Sequence, residues 1–387
     1  TGIGAMKFSL IFEGQMNDAS PSNEQKVLRD CVAQAVFAEE MGFDAIWAVE
    51  HHALTWYAHM SAPEIFLSFV AAKTSRIRLG HGCVLMPFGF NHPVRVAERV
   101  AMLDVLSNGR LDVGAGRGAT QQEMGMFGVQ AQDTYPQVEE TLRILSQIWR
   151  EERFEWSSDL MTIPNRPIHP HPVQTPHPPM FMACTKRDTV TLAAELGIGA
   201  LVMGFGGPSE VAELRGIYDE AIATRSGDRF VSDHANNHLS ALCPSVVLDD
   251  ADEALRIGTR GQRFFAESIH HWYGTGLPPA LDVDAGDDVA AMAADAEHVV
   301  ARLSEMNIPA SPSATTIYEV PQHAYGDRHQ AIRYARELIA AGADEIMVIC
   351  QLGTVSHEVS METIRQWGEY VIPVIRAEQE NLVSARN

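Results

Sequence analysis

RIRLGHGCVLMPFGFNHPVRVAERVAMLDVLSNGRLDVGAGRG, residues 76–118, reads as strand, helix, strand. IRLGHGCVLM (77–86) is a short, largely apolar run of the kind that forms a buried strand. Pro93 opens a helix over 93–106, where a proline in the first turn forfeits no hydrogen bond, and Asn108-Gly109 closes it. LDVGAG (111–116) is the returning strand. Two strands joined by one helix pair in parallel, with a right-handed crossover.

The same rhythm extends upstream. MKFSLIF (6–12) is a first strand, residues 24–41 carry helical spacing through Val27, Val32, Val36 and Phe37, and Gly42 sits at the helix end. DAIWAVE (44–50) is a second strand, and 62–74 a helix with Pro63 in its first turn. Downstream, strands are expected at 180–185, 200–205, 237–248 and 345–350. Helices follow them to Leu196, from Pro208, through Trp272 and through Pro373. Eight such units predict a (β/α)₈ barrel, one domain spanning 1–387. An open doubly wound sheet would need a glycine fingerprint after its first strand, and none is present. Two stretches exceed a minimal barrel. Residues 152–179 read as a hairpin and a Pro/His-rich loop. Residues 274–326 read as an excursion over the mouth with a helical piece near 288–306.

Composition narrows the function. With 29 Lys and Arg against 50 Asp and Glu, the net charge of −21 repels nucleic acid and anionic membranes. An anionic ligand therefore needs a local basic site. No apolar run reaches the roughly 20 residues of a membrane helix. TGIGA is too short and uncharged for a signal peptide, and Met6 reads as a natural start. Five scattered cysteines without a CxxC speak against a disulfide framework or a cysteine zinc site and fit a reducing cytoplasm.

In such a barrel, chemistry sits at the C-terminal strand ends. Glu50, His51 and His52 end the second strand. Gly82 and Cys83 lie in the third, Arg117 and Gly118 follow the fourth, and Thr185, Lys186, Arg187 and Asp188 follow the fifth. In GAGRG, glycines flank an Arg able to grip phosphate with two hydrogen bonds; a tight turn with a surface ion pair would use the same residues. Thr185–Asp188 begins a helix, where free N–H groups attract anions, although an ordinary cap reads the same way. A histidine at a strand end suits acid–base work. Adjacent histidines point to opposite faces, so zinc is the weaker reading, and no metal site is expected. Trp56, Tyr57, Met60, Phe88, Phe90, Trp272 and Tyr273 fall in or beside mouth loops, where they line an apolar substrate pocket or roof the core.

These stretches resemble the luciferase-like monooxygenases, especially the α-subunit type of bacterial luciferase (alkanal monooxygenase) and limonene-type oxygenases. The matching runs are MKFSLIF, GFDAIWAVEHH (42–52), RIRLGHGCVLMP (76–87) and HPVRVAERVAMLDVLSNGRLDVGAGRG (92–118), with weaker matches at PMFMACT (179–185), HWYG (271–274) and AGADEIMVICQLG (341–353). The resemblance implies reduced flavin mononucleotide (FMNH₂) at the barrel mouth, reacting with O₂ to a C4a-peroxyflavin that oxygenates a small apolar substrate. It also implies a separate flavin reductase and, with the apolar helix faces at 62–72 and 94–106, a homodimer. His51 becomes the catalytic residue and Arg117 the phosphate ligand. Thr185 supplies a phosphate-binding hydroxyl, while Glu50, Gly118, Ala183, Lys186 and Arg187 are the further cofactor contacts. Gly82-Cys83 becomes a flavin-supporting bulge with an expected cis peptide bond. Two positions depart from the luciferase α-chain: Ala115 replaces a reactive Cys, and Cys184 replaces a Glu. Two alternatives are a deazaflavin oxidoreductase on the same barrel and a non-catalytic partner subunit. The subunit type lacks the His pair and motif Arg that are kept here.

Overall fold

The computed structural model describes residues 5–274, 276–283 and 323–384. Its barrel strands are β1 (Lys7–Phe12), β2 (Ala45–Ala48), β3 (Arg78–Leu85), β4 (Leu111–Gly116), β7 (Met180–Cys184), β8 (Gly199–Val202), β9 (Leu239–Val247) and β11 (Glu345–Ile349). Each pairs in parallel with its neighbour, and β8–β9 and β11–β1 pairings close the ring. β5 (Arg153–Ser157) and β6 (Thr162–Pro167) form the expected antiparallel hairpin. β10 (Ala324–Gly326) adds to the upper half of β9, whose lower half pairs with β11. The excursion thus rejoins the sheet at its end; the helical piece expected near 288–306 lies outside the described residues.

Helices α1 (Pro21–Glu40), α2 (Pro63–Ala71) and α3 (Pro93–Leu106) follow the first three strands. Each begins at a proline, as the sequence predicts for α2 and α3; α1 starts at Pro21, three residues before the expected 24. Helices α4 (Gln121–Phe127) and α5 (Thr134–Ile148) together follow β4. Downstream run α6 (Arg187–Leu196), α7 (Pro208–Thr224), α8 (Ala251–Tyr273) and the helices Arg328–Ala340 and His357–Gln366. The helix expected to stop at Pro373 instead continues to Ser384 through a π-turn at Trp367–Val371. A widened turn there relieves the carbonyl with which the proline ring would otherwise clash.

Trp47 fills the lower barrel. Its Nε1–H donates to Glu345 Oε1 at 2.7 Å, and a Cβ on Gly80 would lie 2.1 Å from its ring. Gly80 therefore makes room for a core side chain. Burial would raise the Glu345 carboxyl, yet His238 and the neighbouring donors hold it down to about 2. Glu345 opens β11, on the end of the barrel where polar residues serve stability.

Candidate active site

Helix α4 builds one side of the site. The Thr120 hydroxyl accepts from Glu123 N at 3.1 Å, and Glu123 Oε2 accepts from Thr120 N at 3.2 Å, a reciprocal capping box. Gly128, at φ 66°, ends the helix within two turns. The cap leaves Glu123 Oε1 facing the end of β2, where it accepts from His51 Nδ1 at 2.8 Å and His52 N at 3.1 Å. Burial pulls the His51 pKa down, but the bond and charge of Glu123, with Glu13 and Glu50 adding, leave it above its ordinary value. Burial pushes Glu123 up, and the same contacts with His51, His52 and Thr120 bring it below its ordinary value. Each partner thus favours the charged form of the other, with Nδ1 committed to Glu123 and Nε2 left to exchange a proton.

Glu50 works differently. Its carboxylate accepts from Leu85 N at 2.7 Å and Asn91 Nδ2 at 3.0 Å, and its Oε1 lies 3.0 Å from His52 Nε2. Asn91 in turn donates to Leu85 O at 2.8 Å and accepts from Arg99 at 2.5 Å. Glu50 therefore ties the ends of β2 and β3 to the entry of α3. His52 packs between Phe90 and Phe127, at ring separations of 6.1 and 4.7 Å. Each of the adjacent histidines has one ring nitrogen held by a carboxylate, Nδ1 of His51 by Glu123 and Nε2 of His52 by Glu50.

Directly after β1, Glu13 is buried, and its Oε2 has no hydrogen-bond partner. Burial raises its pKa to about 7, with His51 opposing and Glu123 reinforcing the rise. Tyr57 lies edge-on to His51 at 5.3 Å and stacks on Phe265 at 5.6 Å.

Between β3 and β4 the register slips, three residues of β3 (His81 to Val84) spanning two of β4 (Val113 to Ala115). The Gly82–Cys83 peptide bond is cis, as the resemblance implies. A Cβ on Gly116 would lie 2.0 Å from Cys83 Sγ, and one on Gly118 would lie 2.8 Å from the Phe90 ring. Gly118 also adopts φ +87°. Contacts within the protein thus crowd both glycines that flank Arg117 in GAGRG.

Arg117 is half-buried, with its guanidinium 5.2 Å from the Tyr135 ring centroid. Among the described residues it makes no hydrogen bond or ion pair. β4 and β7 are neighbours, with Ala115 opposite Met182. Arg117 and Thr185 therefore leave the barrel at the same end of adjacent strands. Ala183 is half-buried between them in the fold, and Thr185 and Lys186 are exposed. Arg187 pairs instead with Glu213 on α7. Cys184 points inward, its Sγ bonded to Met182 O and Thr189 O, and burial pushes its thiol up to about 12. It is not a polar ligand facing the mouth.

The expected pocket residues divide. Trp56, at φ 68°, lies 6.5 Å from Trp272, whose Nε1–H donates to Thr55 O at 2.8 Å. Phe90 packs on His52 and Phe127. Phe88 is half-buried with its N–H on Gln137. Met60 is buried and lines an outer groove of about 810 Å³ between α1 and α2, with its carbonyl holding His51 N.

Glu123, Glu13 and Asn91 escaped the sequence reading. Thr120-Gln121-Gln122-Glu123 carries the capping-box spacing, a local signal that marks α4. Glu13 and Asn91 carry no comparable signal, because their importance arises from partners distant in the chain.

The family model for luciferase-like monooxygenase matches residues 6–350. The oxygenase component of flavin-dependent trigonelline monooxygenase from Acinetobacter baylyi is 27% identical over 346 residues, 88% of each chain. A type II Baeyer–Villiger monooxygenase from Pseudomonas putida, the oxygenating constituent of 3,6-diketocamphane monooxygenase in complex with FMN, superposes with a TM-score of 0.71. It is 18% identical, and the match covers 96% of this chain and 99% of that one. Coenzyme F420-dependent tetrahydromethanopterin reductase from Methanopyrus kandleri superposes at 0.67, with 18% identity over 96% of this chain and all of its own, 100%.

Proposed function

The chain belongs to the luciferase-like monooxygenase family, and on that premise we propose that it is the oxygenase of a two-component system, using FMNH₂ and O₂. One oxygen atom enters a small apolar organic substrate and the other leaves as water, with FMNH₂ oxidised to FMN. A separate flavin reductase supplies the reduced flavin, as the two-component naming of the Acinetobacter relative supports.

The observation that carries this reading is the His51–Glu123 pair at the strand ends, with Arg117, unpaired among the described residues, two strands away. A guanidinium without an ion pair among the described residues, in a chain of net charge −21, fits an anionic ligand. Arg117, Gly118, Ala183, Thr185 and Lys186 would hold the FMN phosphate. Glu50, Gly82 and Cys83 would bound the ring system, with Glu50 acting through its tie between β2 and β3. FMNH₂ would supply the two electrons that activate O₂. His51 exchanges a proton at Nε2, while Glu123 keeps the other nitrogen protonated. The aromatic residues Trp56, Phe90 and Trp272 exclude water around the substrate.

Oxygen uptake with chemically reduced FMN, across terpenoids, ketones, polyketides and trigonelline, tests the proposal. Substrate-dependent uptake with an ¹⁸O-labelled product by mass spectrometry supports it. Hydride transfer from reduced deazaflavin without oxygen incorporation overturns it.

A further inference from the structure

His51, whose N–H is held by Met60 O beside the Glu13–His59 contact, feels two buried carboxyl groups in different situations. Glu123 is saturated: Oε1 accepts from His51 and His52, and Oε2 accepts from Thr120 N and Oγ1. Glu13 is not. Its Oε2 is buried without a partner, and none of its side-chain atoms makes a hydrogen bond among the described residues. The Glu13 backbone is nonetheless held on both sides. Its carbonyl accepts from His59 N at 3.1 Å, and the next residue, Gly14, donates to Gln351 Oε1 at 3.1 Å. The Glu13 backbone is therefore fixed where the end of β1 meets the loop after β2. A buried, unpartnered carboxylate is costly, so the neutral acid is the form that this setting favours.

We propose that Glu13, buried and unpartnered directly after β1, is a positioning residue for the His51 chemistry and sets the charge of the ring that Glu123 orients. Environments that drive two carboxyls apart assign one as acid and the other as orienting base. Burial moves Glu13 up to about 7, while Glu123 falls below the ordinary range. Ionisation of Glu13 adds a second negative charge beside His51 and strengthens its hold on the proton. The other titratable groups that feel Glu13 are Tyr57 in the loop after β2, Cys83 on β3 and Tyr273 on α8. Burial raises all three above their ordinary values, so they stay neutral near pH 7. Among these groups, His51 and Glu13 are left to titrate there.

The role through His51 rests on the functional reading above, but the coupling does not, and it is tested without turnover. Imidazole proton shifts of His51 are followed by NMR from pH 4.5 to 9 in the ligand-free protein. In the wild type they should move in two steps, one of them near pH 7. Glu13→Gln should leave one step, displaced to lower pH, and Glu13→Asp should keep two. Unchanged His51 titration in Glu13→Gln overturns the proposal. If oxygenation is found, Glu13→Gln should also lose the inflection near pH 7 from the kcat profile and reduce kcat at least about tenfold. A change in KM alone would instead make Glu13 a substrate contact and overturn the positioning role. Failure of oxygenation with the coupling intact would reject the monooxygenase reading and leave the Glu13–His51 pair standing.

Discussion

His51 and Glu123 meet at 2.8 Å although 72 positions separate them, and the carboxylate is fully buried. Neither is well placed alone. Glu123 is aimed by the cap of a seven-residue helix, and His51 by its N–H on the Met60 carbonyl at 3.1 Å. Glu123→Gln keeps a bond to the ring but removes its charge, so the His51 pKa should fall and stability should drop by about 1–3 kcal/mol. The lowered Glu123 gives stability above its unfolded pKa, lost as pH falls through the folded value. The raised His51 gives stability below its unfolded pKa, lost as pH rises through the folded value. The wild-type advantage should therefore peak between those limits. Equal urea midpoints for the two proteins at pH 6 would remove the pair from the stability argument.

Replacing His51 tests the chemistry rather than the scaffold. His51→Ala should cut oxygenation about 10²–10⁴-fold, the span for a general acid or base, with FMN affinity retained. His52→Ala should have a smaller effect on turnover, because its ring serves Glu50, Phe90 and Phe127. Single-turnover kinetics with preformed FMNH₂ separates the two; equal losses would contradict the division of roles.

Arg117→Ala should weaken FMN binding by roughly 1.5–3 kcal/mol, the range for hydrogen bonds to a charged group. Thermal stability should change little, since among the described residues the side chain makes no ion pair and its guanidinium lies against Tyr135. Calorimetric titration with FMN, FAD and riboflavin checks the claim. Riboflavin binding as tightly as FMN to the wild type would place the phosphate elsewhere.

The barrel was legible because its punctuation is local. Pro63 and Pro93 open α2 and α3 where expected, and Asn108, at φ 59°, and Gly109, at φ 78°, make the turn before β4. The site was legible only where it lies on a strand end. His51 and Arg117 follow runs whose period identifies them as strands. Glu13 follows such a run too, but its significance depends on a missing partner, which no periodicity encodes. The glycines flanking Arg117 stayed open to two readings for a related reason: the atoms that crowd them, Cys83 Sγ and the Phe90 ring, come from the preceding strand and its loop.

The outer faces of α2 and α3 present Ile65 and Phe69, 63% and 61% exposed, beside Met102 and Leu106 at 54% and 71%. A groove of about 560 Å³ runs between these helices. A continuous apolar face of this kind on a soluble surface marks a contact site, and a second copy of the chain is the expected occupant. Sedimentation at micromolar concentration should give twice 42.5 kDa, and Phe69→Glu should return the mass to 42.5 kDa. A wild-type mass of 42.5 kDa would count against the homodimer.

Glu13 should impose a pH-dependent cost on the fold, with a sign opposite to that of an ordinary ion-paired carboxylate. Its pKa rises from 4.5 to about 7 on folding, so the native state binds the proton more tightly than the unfolded chain. Below pH 4.5 both states are protonated and the cost vanishes. It grows as pH climbs toward 7 and is constant above, reaching at most about 3 kcal/mol. Glu13→Gln removes the ionisation while keeping the shape, so the variant should gain stability over the wild type at pH 8 and little at pH 4.5. Urea unfolding at both pH values measures the difference. A variant that gains equally at both, or loses stability at pH 8, would mean that a partner holds the Glu13 carboxylate in the native protein.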